Sequence, residues 1–335
     1  MMTIKQRFFA YTFAMIIILL AVMYANLHTG FSDMSNADLI RILFGGGNAV
    51  EHITVFDFRL VRTVLAVFIG MGLAISGAIF QTVSRNELAS PSLLGVNAGA
   101  GLGVVLLVYF AGSTTAWGIW TLPTVAVAGA ILAALLIYAL SCRGGEVISP
   151  YRLILTGISM SAGFHALQVL LVTRLDPNKF YLVNTWTIGT ISGNTWEHVW
   201  ILAPVVVILS LILYARYMDL NLLSLADETA MGLGVRINLS RFIYLIIAVL
   251  LAGFCVAIGG SIGFVGLISP HIARRLIGAN HAYFLPLTAL IGAILVVGAD
   301  WIGRSIIAPD EILLGIIIAL VGAPYFLYIL AKTKA

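Results

Sequence analysis

The chain has 335 residues, of which 61% are hydrophobic and only 10% charged, with a mean hydropathy of +1.07 and a net charge of +4. Soluble domains carry about 25% charged residues, so the composition excludes an ordinary water-soluble protein. The basic excess is thin and has no run longer than Arg274–Arg275, which argues against a nucleic-acid-binding surface.

Ten apolar stretches tile the chain, at about 8–27, 60–83, 93–110, 120–141, 153–173, 198–216, 241–260, 263–278, 284–303 and 312–331. A hydrocarbon core about 30 Å thick takes about 20 mostly apolar residues per helix. Backbone in lipid must satisfy its own N–H and C=O groups, so each stretch predicts a transmembrane helix. The start, MMTIKQRFF, places Lys5 and Arg7 before an apolar run through Leu27. That run is too long for a signal peptide and no clean A-x-A site follows, which predicts a retained first helix. The longest polar intervals, near 28–58, 174–197 and 217–240, are too short for an ATPase or receptor domain. Residues 1–335 therefore read as one all-α transmembrane domain, with a cytoplasmic loop at about 217–240.

Orientation follows from Lys and Arg in the short loops. With the N-terminus inside, the inner set is Lys5, Arg7, Arg85, Arg143, Arg152, Arg216, Arg236, Arg241, Arg274, Arg275, Lys332 and Lys334, against Arg41, Arg59, Arg62, Arg174, Lys179 and Arg304 outside. This bias predicts that both termini are cytoplasmic. Trp117, Trp120, Trp186, Trp196, Trp200 and Trp301 fall near span ends or in outer loops, as interfacial rings should. The eighth span is interrupted by Gly259, Gly260, Gly263, Gly266 and Pro270, which predicts a bent or partly re-entrant segment surrounded by protein or water.

Small residues recur at four-residue spacing in Gly70–Ala74–Ala78, Gly95–Gly99–Gly103 and Ala289–Ala293, a pattern that lets helix backbones approach closely. The string GAGLG at 99–103 lies inside an apolar span with no strand before it, so it reads as packing and not as a nucleotide fingerprint. No GxxxxGK[ST], HExxH or GxSxG motif occurs, and no Cys/His cluster. Cys142 and Cys255 read as small buried hydrophobes, and His165, inside a span, as a lone core polar group. Asp300, an intramembrane acid, has Arg304 one turn later as an adequate i,i+4 partner. Few charges fall near the membrane midplane, which argues against a proton-driven transporter.

Two features call for more. Arg59, Arg62 and Arg304 put positive charge on the outer side, against the orientation bias. The inner segment SLADETAMGLGV (224–235) reads as a short helix with Ser224 and Asp227 as a capping box and Gly232 or Gly234 at its end.

The stretches RLVRTVLAVFIGMGLAISGAIFQTVSRNELASPSLLGVNAGA (59–100), ADETAMGLGV (226–235), GSIGFVGLISPHIARRLIG (260–278) and ADWIGRSIIAPDEILLGIIIALVGAPYFLYIL (299–330) make the sequence recognisable. It resembles the permease subunits of bacterial ABC importers for iron–siderophore, haem and cobalamin, the FecCD-type family. The resemblance implies the type II importer permease fold: ten transmembrane helices, with the second to fifth and seventh to tenth as an inverted repeat. It implies a second permease subunit, identical or paralogous, and two cytoplasmic ATPases that bind the ATP and Mg. It also implies an extracytoplasmic binding lipoprotein or periplasmic protein, all at the bacterial cytoplasmic membrane. By the same resemblance Arg59, Arg62 and Arg304 dock the binding protein. Asp227, Glu228, Thr229, Ala230, Met231, Gly232, Leu233 and Gly234 form the segment that couples to the ATPase. No catalytic residue, metal ligand, cofactor or nucleic-acid partner is expected of this chain. A ferric siderophore ranks first as cargo because such systems are the commonest in the family, with haem or cobalamin as alternatives. From other classes, a channel or secondary transporter and an intramembrane enzyme remain as rivals.

Overall fold

Lipid offers the backbone no hydrogen bonds, and among the described residues the chain forms helices and no strand. The computed structural model describes residues 3–30, 34–92, 94–111, 118–142, 149–307 and 310–332; Trp117, Arg143 and Lys334, used above for topology, lie outside the described residues. In chain order the helices begin with α1 (Ile4–His28), α2 (Asn36–Leu43) and α3 (Ala49–His52), the last running through a π-helical stretch at Ile53–Leu60 into α4 (Val61–Ser84). Next come α5 (Val96–Phe110), α6 (Thr121–Ser141), α7 (Pro150–Val172), α8 (Pro177–Ile188) and α9 (Trp196–Ala215). The short α10 (Tyr217–Leu223) and α11 (Asp227–Gly232) lead to α12 (Ile237–Gly259), α13 (Val265–Ile277), α14 (His281–Ser305) and α15 (Leu314–Lys332). A helix stands at each of the ten apolar stretches, and among the described residues 7 helices are long and apolar enough to cross a membrane.

Helix α4 is the axis of the bundle, packed on α14, α12, α13 and α9. Apolar side chains gain little by leaving lipid for one another, so close backbone contact must supply the attraction. Gly70 meets Gly292 and Ala293 of α14, and Gly77 meets Gly266 of α13. A methyl on Gly266 would sit 2.8 Å from the Leu73 carbonyl oxygen, and one on Gly103 would sit 2.9 Å from that of Val125. The small-residue stripes are thus helix crossings. By contrast α1 turns an apolar face outward, with Phe9 and Phe13 at 69% and 68% exposure, as a lipid-facing helix does.

The eighth apolar stretch is broken as expected. α12 ends at Gly259, residues 260–264 are irregular, and Gly260 (φ +73) and Phe264 (φ 62) take left-handed backbone. At 13 residues α13 is about 20 Å long, less than the hydrocarbon thickness. Protein replaces lipid around the break: Asn97 Nδ2 donates to Ser261 Oγ (3.2 Å) and the Ile262 carbonyl (3.3 Å), and the Ser261 N–H donates to the Trp186 carbonyl (3.3 Å).

Two expectations fail here. His165 is exposed on α7, while the buried polar groups of that helix are Ser161, whose hydroxyl donates to the Gly157 carbonyl at 2.7 Å, and Gln168, whose Nε2 donates to the Ala98 carbonyl at 2.7 Å. Cys255 is buried but Cys142, at the end of α6, is exposed. The polar intervals also hold helices the apolar pattern did not announce. α2 and α3 open on the capping boxes Ser35–Asp38 and Asn48–Glu51, and α8 on Asp176 followed by Pro177. The Ser35 hydroxyl donates to Asp38 and holds its carboxyl below the usual range.

Because Gly77 has no room for a side chain, Gly77→Val is expected to abolish the monodisperse permease peak on size-exclusion chromatography in detergent. Gly163→Ala, where an added methyl would meet no atom within 4 Å beyond its own helix backbone, should leave that peak intact.

Candidate functional site

Charge collects at the two ends of α4. At its start the π-helical stretch turns Arg59 inward to 4% exposure, and its Nη1 donates to the Leu27 and His28 carbonyls at 2.9 Å each. Those carbonyls belong to the last turn of α1, where no intrahelical N–H reaches them and the helix dipole favours a cation. Arg304, in the last turn of α14, joins from the other side. It donates to the Thr29 carbonyl (2.9 Å), the Asn26 carbonyl (2.6 Å) and the Asn26 side-chain oxygen. Two arginines therefore cap one helix.

Asp300 is the hub of this end. Its fully buried carboxylate accepts from Arg62 Nε at 2.8 Å and from Asn26 Nδ2 at 3.0 Å, while Arg304 Nε lies at 3.5 Å. The i,i+4 pair is present but is the longest of these contacts, and it does not by itself account for Asp300. The shorter ion pair runs across to α4, because a guanidinium at 2.8 Å offsets carboxylate desolvation better than one at 3.5 Å. Arg62 also donates to Glu311 (2.7 Å) and to Ser192 Oγ (2.9 Å). Arg59, Arg62 and Arg304 all line one cleft of about 480 Å³, together with Phe58, Ile191 and Glu311. The structure brings the three together, but Arg59 and Arg304 as buried anchors. Arg62, paired with the 40%-exposed Glu311 side chain, stands nearest solvent.

At the other end α4 stops on Arg85, which takes left-handed backbone (φ 49). Its Nε donates to the Leu223 carbonyl (3.2 Å) and its Nη2 pairs with Asp227. Arg241 of α12, with its side chain 3% exposed, grips the same carboxylate through Nη2 (2.8 Å) and Nη1 (3.3 Å). This overturns the expected capping box. Ala226 is the N-cap residue of α11, and the Ser224 hydroxyl instead donates to the Asn221 carbonyl at 2.6 Å. Two charge-assisted bonds to guanidinium groups are stronger than one to a cap, and they take Asp227 away from it. The C-terminal reading holds at one glycine. Gly234 (φ +86) ends α11, with its N–H on the Met231 carbonyl and that of Val235 on the Ala230 carbonyl, whereas Gly232 stays inside the helix.

Helix α11 buries Ala230 and exposes Met231 and Leu233, the latter by 59%. Glu228 and Thr229 are exposed beside them. The preceding α10 is fastened too: Asn221 Oδ1 meets His281 Nδ1 at 2.7 Å, and His281 Nε2 meets Thr82 Oγ1 at 2.8 Å, which joins α10 to α14 and α4. Asn26, Glu311, Arg85 and Arg241 had gone unremarked as site residues. A polar residue in the last turn of an apolar run was the available signal for Asn26. Nothing local pairs Arg85 with residue 227.

A bundle of apolar helices with paired charges at both ends of its buried axis has the architecture of a multi-pass membrane protein. Residues 17–332 match the FecCD transport family, and the chain belongs to that family, a family of transport permease subunits and not ATPases. It is 42% identical over 329 residues to the iron(3+)-hydroxamate import system permease protein FhuG of Bacillus subtilis (strain 168), covering 97% of this chain and 96% of that one. It is 41% identical to the Fe(3+)-citrate import system permease protein YfmE of the same organism, over 95% of this chain and 92% of that one. Among solved structures, a metal-chelate type ABC transporter in an inward-facing conformation superposes with a TM-score of 0.84 at 31% identity, over 96% of this chain and 98% of that one.

Asp300→Asn should leave Arg62 without its buried partner and destabilise the permease by about 3–5 kcal/mol. Thermal unfolding in detergent checks this, and Glu311→Gln, at the solvent-facing side of Arg62, should shift the midpoint far less.

Proposed function

We propose that the chain is the membrane-spanning subunit of an ATP-driven importer that takes up ferric siderophores. The relatives named for ferric hydroxamate and ferric citrate support the cargo class. On this reading ten helices span the bacterial cytoplasmic membrane, with both termini in the cytoplasm on the side of α11. A second permease copy or paralogue completes the path, and a binding lipoprotein or periplasmic protein delivers the chelate. Two separate ATPases bind ATP and Mg and carry out the hydrolysis.

The observation that carries this reading is α11. A six-residue helix in a loop has no means of holding itself, since isolated helices this short are unstable in water. Here Asp227 is gripped by α4 and α12, and the helix spends that rigidity on presenting Met231 and Leu233 to solvent. Exposed apolar residues on a clamped peg suit a protein partner that moves, so residues 227–234 serve as the coupling element for the ATPase. At the other end Arg62, anchored by buried Asp300 through Nε and paired with Ser192 and the exposed Glu311 through Nη1, is available to an acidic binding protein that competes with Glu311 for it. Arg59 and Arg304 keep the wall of that docking cleft in place.

The test is assembly. Met231→Glu with Leu233→Glu should cut ATPase co-purification at least about tenfold and abolish siderophore uptake, with permease abundance unchanged. Gly234→Val, which forces a β-branched residue to φ +86, should lower uptake in the same way. ATPase recovered at wild-type level with the double variant would refute the assignment.

A further inference from the structure

A second basic site lies where α1 begins and α13 ends. Arg7, Arg274 and Arg275 line a cavity of about 440 Å³ together with Ile4 and Gly278. Arg274 is partly satisfied, with Nη1 on Glu87 at 2.9 Å and its guanidinium 5.2 Å from the Phe284 ring centre. Its Nε is nevertheless buried with no hydrogen-bond partner among the described residues. Neither Arg7 nor Arg275 has a carboxylate within 4.0 Å among the described residues. Lys332 is close by in character and place: it donates to the Tyr328 hydroxyl, which Arg275 also approaches. Three guanidinium groups thus line the cavity, and among the described residues Glu87, on Arg274, is the one carboxylate within 4.0 Å of them.

The same helices continue into an apolar groove of about 330 Å³, lined by Met15 and Ile18 of α1, Ile272 of α13, and Ile291, Ile294 and Leu295 of α14. Met15 and Ile18 lie 8 and 11 residues beyond Arg7, so about 12 and 16 Å deeper along α1. A compact anion alone would need the basic cavity and not the groove. An acidic protein would need the cavity but could not follow the groove into the hydrocarbon. We infer that this is a binding site for an anionic phospholipid, with its phosphate among Arg7, Arg274 and Arg275 and one acyl chain between α1, α13 and α14. Basic pockets at helix ends at the membrane surface select acidic headgroups by charge, and a forked guanidinium matches a phosphate's oxygens. The site is distinct from the Arg62 and Asp227 clusters and does not depend on which face of the membrane is cytoplasmic. Lipid here would brace α1, which packs on α14 but barely touches α13, against that short helix that follows the backbone break.

Native mass spectrometry of the delipidated full-length permease with its ATPases tests this, using dioleoylphosphatidylglycerol, dioleoylphosphatidylcholine and inorganic phosphate as probes. Phosphatidylglycerol should be retained in preference to phosphatidylcholine, and inorganic phosphate should not displace it. At about fivefold per basic residue, Arg7→Gln with Arg275→Gln should weaken retention about 25-fold, and the Arg→Lys pair should largely keep it. Ile18→Trp, which fills the groove from a half-exposed position, should also weaken retention with every arginine in place. Equal retention of both lipids, or unchanged retention in the Gln variant, overturns the site. Displacement by phosphate makes it a bare anion site, unchanged retention in Ile18→Trp removes the acyl groove, and loss of the ATPase without loss of lipid reassigns the arginines to a protein partner. Each of these contradicts the inference.

Discussion

The structure depends on how closely α4 can approach its neighbours. In lipid, apolar side chains gain little from one another, so the bundle is held where backbones touch: Gly70 against Gly292, Gly77 against Gly266. These contacts leave α4 almost wholly buried and fix α13 and α14 on it. They also set the position of both polar clusters, because Arg59 and Arg62 open α4 and Arg85 closes it about 36 Å away. Asp227 thus ties α11 to Arg85 at the foot of the same helix that carries Arg62 at its head.

The two clusters solve the problem of charge in a membrane differently. At the head, Arg59 and Arg304 neutralise the open carbonyls of α1 while Asp300 binds Arg62 and Asn26, so almost every charge is satisfied inside the subunit. At the foot, one carboxylate is shared by two arginines from different helices, and what it holds is a small helix with an apolar exposed face. The first arrangement builds a wall with one accessible arginine. The second builds a peg.

Much of this was legible in the residues. Apolar runs of span length gave a helix at all ten positions because nothing else satisfies backbone in lipid, and the glycine and alanine stripes marked the crossings. The glycine-rich eighth run told of its break. What the sequence hid was pairing across distance. Asp300 had an arginine four residues away, so its shorter bond to Arg62, 238 residues distant, had no local sign. Ser224 and Asp227 had the spacing of a cap, but Arg85 and Arg241 claimed the carboxylate. Helices α2 and α3 were announced by Ser35–Asp38 and Asn48–Glu51, signals that a search for apolar runs passes over. Face assignment was the other weak point: at His165 and Cys142, polarity and size alone did not say which side of a helix meets lipid or solvent.

The central claim is that this permease works through an ATPase docked on α11. The most direct measurement is accumulation of radiolabelled ferric hydroxamate in proteoliposomes holding the permease, its ATPases and its binding protein. An ATPase docked on α11 requires that uptake depend on ATP on the α11 side and survive a protonophore. Uptake that proceeds without ATP and collapses with the proton gradient would contradict it.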